Sequence, residues 1–484
     1  MLSVNAPHVP ALHISHSSRT LGDMLRKRVE ATPDRQAFFE REGSGWRPYT
    51  WAQAYQKVLR IAAGLRKLSL RRGDRLAIVG PTKLPWSLYD LAAQMLGLVS
   101  FGIYQGQTEE QIRYLLDHSQ AQVVLVGDES ELQCVLRAAS DLPSLTTIIP
   151  WDEALHVRYQ GTDPRLQSPS VLEVPALTPQ QVSESLSAIS PDDTAILIYT
   201  SGTTGPPKGA MLTHRNLLAL LGNNKGFASF FADDLTISFL PMAHSAERVL
   251  SFYGRVSTGV ATAFASSMSR LLEELREVGP TVFGSVPRIF EKAYSKILTE
   301  VERKPAPVRS LFAWARQVSG ERLDKQQAGE PIPWSLALQH QVADRLLWRK
   351  IRAFFGGRVR YFIVGAAPTP KDVLRFFWAA GMPILEAYGM TEATAVTHVN
   401  TLESARLGTV GRLLSGLEQK LADDGEILIR GPQVFQGYYR NPEATAQAIV
   451  DGWLHTGDIG SIDADGFLRI TDRKKHLIIT AGGK

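Results

Sequence analysis

A layered α/β body with largely parallel sheets, followed by a small antiparallel β unit, is the fold class this sequence predicts. Two observations predict the body: short apolar runs of strand length, and amphipathic helical segments that alternate with them. A third predicts the appended unit, a change after about Gly408 to short strands separated by Asp-Gly turns.

In order, the buried strands are residues 75–80 (RLAIVG), 122–127 (QVVLVG), 195–200 (AILIYT), 281–286 (TVFGSV) and 361–365 (YFIVG). Helices follow several of them, and residues 86–96 and 216–221 repeat apolar side chains at three and four. Two Pro-bearing stretches, 161–191 and about 304–333, read as connectors, the second with a short helical pattern. Beyond Gly408, residues 426–430 (EILIR), 453–455 and 466–470 (GFLRI) are strand-like, with turns at Asp424-Gly425, Asp451-Gly452 and Asp465-Gly466. Further strand-like runs at 471–475 and 477–480 precede Gly482-Gly483-Lys484.

The 484 residues carry 53 Lys and Arg against 48 Asp and Glu, a formal charge of +5. With 44% hydrophobic and 21% charged residues the chain is globular rather than disordered. So mild a bias favours anionic partners in general, and the aromatic–basic interleaving of a nucleic-acid binder is lacking. The densest basic run is Arg66, Lys67, Arg71, Arg72 and Arg75. It reads as a solvated helix end and turn, with contact to anionic lipid or a polyanion as the alternative. The single cysteine, Cys134, excludes an internal disulfide framework. No apolar run reaches about 18 residues, so no transmembrane helix is expected. Residues 1–18 lack the apolar core of a signal peptide, and the expected location is cytoplasmic.

The most informative segment is residues 199–209, YTSGTTGPPKG. A buried strand runs into a loop of glycines, hydroxyl residues and one lysine. Glycines let backbone N–H groups approach an anion, hydroxyls add donors and lysine adds charge, which is how loops hold polyphosphate. The spacing is not that of a Walker A loop, because Gly209 follows Lys208 where Gly should precede Lys.

Continued by residues 210–216 (AMLTHRN), this loop resembles the AMP-binding signature of the adenylate-forming enzymes, the superfamily of acyl-CoA synthetases, adenylation domains and luciferases. Further motifs follow in the family's order: 241–248 (PMAHSAER), 365–368 (GAAP), 388–392 (YGMTE), 425–439 (GEILIRGPQVFQGYY), 453–458 (WLHTGD) and 471–475 (TDRKK). The resemblance implies two mainly parallel-sheet α/β subdomains in residues 1–407 and a β-barrel-like subdomain in 408–470. It makes 471–484 a hinge and the first residues of a C-terminal domain.

Adenylation joins a carboxylate to the α-phosphate of ATP and expels pyrophosphate, so phosphate charge must be neutralised and the reactants held in line. By resemblance Thr200, Ser201, Gly202, Thr203, Thr204 and Lys208 cradle the β- and γ-phosphates, and Thr203 and Glu392 hold Mg2+. Thr391 meets the α-phosphate. Gly365, Ala366, Ala367, Pro368 and Tyr388 flank the adenine, within a nucleotide segment that also includes Glu386, Ala387, Gly389 and Met390. Asp458 takes the ribose hydroxyls, Arg473 the ribose and phosphate, and Lys475 is the hinge position. His244 gates carboxylate from nucleotide, so that Thr203, Lys208, His244 and Glu392 are the implied catalytic set. Without the motifs, Glu392 reads as a surface carboxylate, Asp458 as a turn residue, Arg473-Lys474-Lys475 as a solvated turn, and His244 with Arg248 as helix-surface neighbours.

Substrate class follows less directly. Residues 241–248 hold no Asp to meet an amino-acid ammonium, which disfavours aminoacyl activation. Gly389 stands where small-acid activators resemble one another in placing a pocket-blocking Trp. Residues 285–292 (SVPRIFEK), 437–441 (GYYRN) and 472–484 (DRKKHLIITAGGK) look most like long-chain fatty acyl-CoA synthetases. That resemblance implies a fatty acid, ATP and coenzyme A as substrates, with peripheral membrane contact plausible for a lipid-handling enzyme. It also implies a further C-terminal domain carrying an adenylation lysine, so these 484 residues alone are expected to adenylate weakly and to form no thioester. The alternatives are a fatty acyl-AMP ligase that loads a carrier protein, and a non-catalytic acyl-adenylate or nucleotide binder.

Overall fold

The computed structural model describes residues 1–4, 6–200, 205–223 and 229–474, and their strands form four sheets. The largest has seven strands, in the order Gly437–Tyr438, Lys208–Thr213, Thr194–Thr200, Val99–Ile103, Arg75–Val79, Ala121–Val126 and Thr147–Pro150. From Thr194–Thr200 onward the pairs are parallel, as predicted for apolar runs buried on both faces. Leu76 and Ile78 face one core with Val58 and Trp86, while Ala77 and Val79 face another with Ile112, Leu116 and Leu132.

A second sheet of five strands begins with three parallel ones, Val282–Ser285, Tyr361–Val364 and Ile384–Tyr388. His398–Val399 and Arg412–Leu413 complete it in antiparallel fashion. An aromatic core of Phe283, Phe290, Phe362 and Phe377 packs its helices, with ring centroids 4.9 to 6.3 Å apart. A four-stranded sheet pairs Gly45–Thr50, Gln36–Glu42, Ala261–Phe264 and Leu235–Ser238.

The C-terminal unit is antiparallel as predicted: Glu418–Leu421, Glu426–Arg430, Trp453–Ile462 and Ile449–Val450, with Leu468–Arg473 pairing the later half of Trp453–Ile462. Asp451 (φ 51°) and Gly452 (φ 76°) both take the left-handed region, which a two-residue hairpin needs to match strand twist. Residues 408–470 do not form one self-contained sheet, however. Arg412–Leu413 closes the second sheet, and Gly437–Tyr438 edges the seven-stranded one.

Both supposed connectors hold helices. Residues 161–191 contain Pro179–Ala188, started by a reciprocal Thr178/Gln181 cap. Residues 304–333 contain the 22-residue helix Ala306–Gln327, which packs against Trp334–Ala343. Proline misleads here because it is tolerated in a helix's first turn, where Pro179 and Pro307 sit. In the basic run, Arg75 donates to the carbonyls of Ser119 (2.9 Å) and Gln120 (3.0 Å), and Arg66, Lys67 and Arg71 are exposed. No helix among the described residues is long and apolar enough to cross a membrane.

Candidate active site

The seven-stranded sheet, the second sheet and the C-terminal unit together wall one cavity of about 680 Å3. Of the predicted site residues, Thr200, Lys208, His244, Gly365, Ala366, Ala387, Gly389, Met390, Thr391, Glu392, Asp458 and Arg473 line it. Ser201, Gly202, Thr203, Thr204 and Lys475 lie outside the described residues.

Lys208 opens the strand Lys208–Thr213, whose antiparallel register sets it opposite Thr200. On the far side of that strand Tyr438 pairs with Ala210, two residues along from Lys208, so its side chain shares the same sheet face. The Lys208 ammonium lies 5.2 Å from the Tyr438 ring centroid, and the Tyr438 hydroxyl donates to Glu392 Oε1 at 2.6 Å. Burial, together with the Glu392 carboxylate, drives the phenol pKa up, so Tyr438 stays a donor.

Glu392 is buried in the short 3-10 turn Thr391–Ala393 and is no surface carboxylate. The chain leaves that turn through Thr394 (φ 56°) and Ala395 (φ 77°), two non-glycine residues in the left-handed region. They are held there: Thr394 Oγ1 donates to the Gln433 carbonyl at 2.5 Å, Ala395 N to Met390 O at 3.0 Å, and Phe435 N to Glu392 O at 2.8 Å. Such a turn is kept by its surroundings rather than by its own preferences.

Also on the cavity lining, Asp458 sits mid-strand in Trp453–Ile462, opposite Arg473 of Leu468–Arg473. Both its carboxylate oxygens are engaged: Oδ1 by Arg473 Nε at 3.0 Å and Oδ2 by the Tyr388 hydroxyl at 2.7 Å. The turn-aspartate reading is thereby corrected; Gly457 (φ 71°) bends the strand without ending it. Close by, Glu426 accepts from Gly457 N (2.9 Å), His455 Nδ1 (3.1 Å) and Lys474 Nζ (2.9 Å). Burial pushes that carboxyl up, but Lys474 and the other donors outweigh it and hold it below the usual carboxylate range.

His244 faces the cavity. Its Nδ1 accepts from Ala246 N at 3.1 Å, which leaves Nε2 to carry the proton of the neutral ring, and desolvation lowers its pKa. Ser245 Oγ accepts from Thr391 Oγ1 at 3.3 Å, joining this segment to the Glu392 turn. Arg248 is not a surface neighbour of His244. It is fully buried on the wide-turned helix Ala246–Tyr253, ion-paired with Asp90 and stacked 5.2 Å from the Trp86 ring centroid. Its partner comes from the helix Leu84–Leu96, far away in sequence.

Four predicted nucleotide positions stand back from the cavity lining. Ala367 and Pro368 belong to an exposed loop. Tyr388 reaches the site only through its hydroxyl on Asp458. Glu386 turns into the protein, where burial pushes its carboxyl to about 7 despite the Gly408 and Thr369 amides.

The lining also includes apolar side chains, Leu240, Leu250, Val286, Ile363 and Val396. Gly389 does not simply vacate space here. A Cβ at that position would lie 2.3 Å from Ala395 O and 2.6 Å from Val396 Cα, so backbone packing itself demands glycine. Gly284 is the open position, since a Cβ there meets nothing nearer than Ser251 Oγ at 3.8 Å. Sequence reading missed Tyr438, Ser245, Glu426 and His455 as cavity residues. All four lie within the recognised motifs, and only their convergence was invisible.

Residues 25–439 match the family described as AMP-binding enzyme. The chain is 35% identical over 444 residues to the long-chain-fatty-acid–CoA ligase FadD15 of Mycobacterium bovis, covering 91% of this chain and 72% of that protein. Among solved structures it superposes on a Mycobacterium tuberculosis fatty acyl CoA synthetase with a TM-score of 0.69 at 23% identity, covering 96% of this chain and 80% of that one. It also superposes on the anthranilate CoA ligase AuaEII in complex with anthranoyl-AMP, with a TM-score of 0.73 at 19% identity, covering 98% and 80%. At these identities the two superpositions establish the fold: an α/β body with mixed parallel and antiparallel sheets.

Proposed function

Because the chain belongs to the AMP-binding enzyme family, we propose that it activates a long-chain fatty acid with ATP to the acyl-adenylate, for transfer to coenzyme A. The observation that carries this reading is a single cavity lined both by Lys208, Glu392, Asp458 and Arg473 and by the apolar Leu240, Leu250, Val286 and Val396. One reactant is a polyanion with a ribose, the other a carboxylate with an alkyl tail, and the two kinds of lining residue suit the two.

In this reading Lys208 and the loop of residues 201–207 bind the outer phosphates, and Thr391 orients the α-phosphate toward the acyl carboxylate. Asp458 exchanges its Tyr388 and Arg473 partners for the ribose hydroxyls, an exchange of hydrogen bonds at one buried carboxylate. His244, neutral and carrying its proton on Nε2, stands between the two substrate regions and donates to the acyl carboxylate.

The residues present suit Mg2+. Glu392 offers a hard oxygen donor on the cavity lining. That fits an ion which keeps its waters and leans on one or two protein oxygens plus phosphate. Glu392 and Thr203 would hold it, where its charge would offset that of the phosphate oxygens.

The test is thermal-shift binding of hydrolysis-resistant acyl-adenylate analogues whose acyl group runs from acetyl through long fatty chains to aryl and aminoacyl. At 100 times its dissociation constant a ligand stabilises by about 2.7 kcal/mol. Each methylene buried against the apolar lining residues adds about 0.8 kcal/mol. Stabilisation should climb with alkyl length; a preference for aryl or aminoacyl analogues overturns the substrate class.

A further inference from the structure

The helix Trp334–Ala343 and the wide-turned segment Asp344–Trp348 that continues it are pinned to the body by one face. Leu336, Ala343 and Trp348 are buried there, and Trp348 Nε1 donates to Ser319 Oγ at 2.9 Å. The opposite face is apolar and open to solvent: Trp334 is 81% exposed, Leu338 53%, Val342 42% and Leu346 49%. A four-residue repeat drifts by about 40° per step on an α-helix. The wider turn over Asp344–Trp348 brings Leu346 back toward the line of the other three.

Beside this stripe stand Arg345, Arg349 and Lys350, all exposed and none within 4 Å of a carboxylate oxygen among the described residues, although Arg349 is near enough to Asp344 to help lower its pKa. The acidic residue of the segment, Asp344, is held by Arg352 at 2.6 Å, and Glu330 before the helix is held by Lys325 at 3.0 Å. An uncovered apolar stripe headed by tryptophan and bordered by exposed cations is the pattern of a helix lying in a membrane interface.

We propose that this face docks the protein on an anionic lipid surface, with Trp334, Leu338, Val342 and Leu346 entering the headgroup boundary and Arg345, Arg349 and Lys350 meeting lipid phosphates. The cations select lipid over a second copy of the chain, whose identical face would set like charges against one another. The surface is independent of the cavity residues, so it stands apart from the enzymatic reading.

Co-sedimentation with extruded vesicles tests it, using phosphatidylcholine alone and with about 30% phosphatidylglycerol. The wild-type chain should bind the anionic vesicles and largely ignore the neutral ones. Trp334→Ser with Leu338→Ser should weaken that binding roughly tenfold or more. Arg345→Glu, Arg349→Glu and Lys350→Glu together should weaken it about a hundredfold, at about fivefold for each cation lost. All five side chains are exposed, so the unfolding midpoints should match the wild type. A control carrying Arg66→Glu, Lys67→Glu and Arg71→Glu should bind as the wild type does. Equal binding to neutral vesicles, undiminished binding by the stripe variants, or loss of binding in the control alone would overturn the proposal. So would a lipid-free dimer of the wild type that Trp334→Ser with Leu338→Ser dissolves, because the face would then belong to a second copy.

Discussion

The Tyr438 hydroxyl donates to Glu392 Oε1 at 2.6 Å while its ring lies 5.2 Å from the Lys208 ammonium. One side chain thus fixes the spacing between the candidate metal carboxylate and the candidate phosphate lysine. Replacing Tyr438 by Phe keeps the ring under Lys208 and frees the carboxylate. A hydrogen bond to a charged group contributes about 1.5–3 kcal/mol. Pyrophosphate release dependent on fatty acid should therefore fall roughly ten- to hundredfold in kcat, with KM for the fatty acid unchanged.

Asp458→Ala removes the acceptor shared by Tyr388 and Arg473. Acyl-adenylate analogues should then give none of the thermal stabilisation of about 2.7 kcal/mol expected for the wild type at 100 times the dissociation constant. An unchanged shift would assign the ribose contact elsewhere.

Gly284→Phe extends a ring from the cavity lining, where the nearest atom to a new Cβ is Ser251 Oγ at 3.8 Å. Long-chain analogues should lose binding by about 0.8 kcal/mol for each methylene displaced, while short-chain ones keep theirs. Gly389→Trp should behave differently. Its Cβ collides with the Ala395 and Val396 backbone, so the variant should lower the unfolding midpoint itself.

Asp90→Asn leaves the Arg248 guanidinium buried without its counter-charge. Breaking such a pair from one side costs about 3–5 kcal/mol. Denaturant titration at neutral pH should register a loss of that size, although neither residue belongs to the predicted catalytic set.

His214 and His398 are buried, and desolvation holds each near a pKa of about 4. Unfolding returns them to about 6.5, so the unfolded chain binds more protons below neutrality and stability must fall with pH. The contribution of each ring is fully present above about pH 6.5 and is lost as pH falls toward 4, about 3 kcal/mol apiece. His398→Asn should flatten the unfolding midpoint's dependence on pH across that window. An equally steep profile would place the acid sensitivity elsewhere.

Much of this was legible in the residue order. The apolar runs at 75–80, 122–127, 195–200, 281–286 and 361–365 became strands at nearly those positions, because a run covered on both faces leaves little choice of structure. Proline at 179 and 307 hid two helices, since the same residue that ends a helix also begins one. Glu392 and Asp458 stood out by their motifs, whereas their burial was not legible there. Nor was the inward turn of Glu386, one strand position from the cavity-lining Ala387, because a strand's alternation says which residues share a face but not which face meets the cavity.

Local chemistry, in the end, was written along the chain: the strand periods, the glycine-rich loop before Lys208, the Asp-Gly hairpins and the succession of motifs. These depend on neighbours a few residues apart, where steric rules and short hydrogen bonds act directly. Convergence came only with folding. The edge strand that carries Tyr438 to Glu392, the pair of Arg248 and Asp90, the closure of backbone over Gly389 and the outward stripe of Trp334 and Leu338 all join or expose segments by packing alone. Contacts between distant segments follow from how whole layers bury their apolar faces, and no local pattern encodes that outcome.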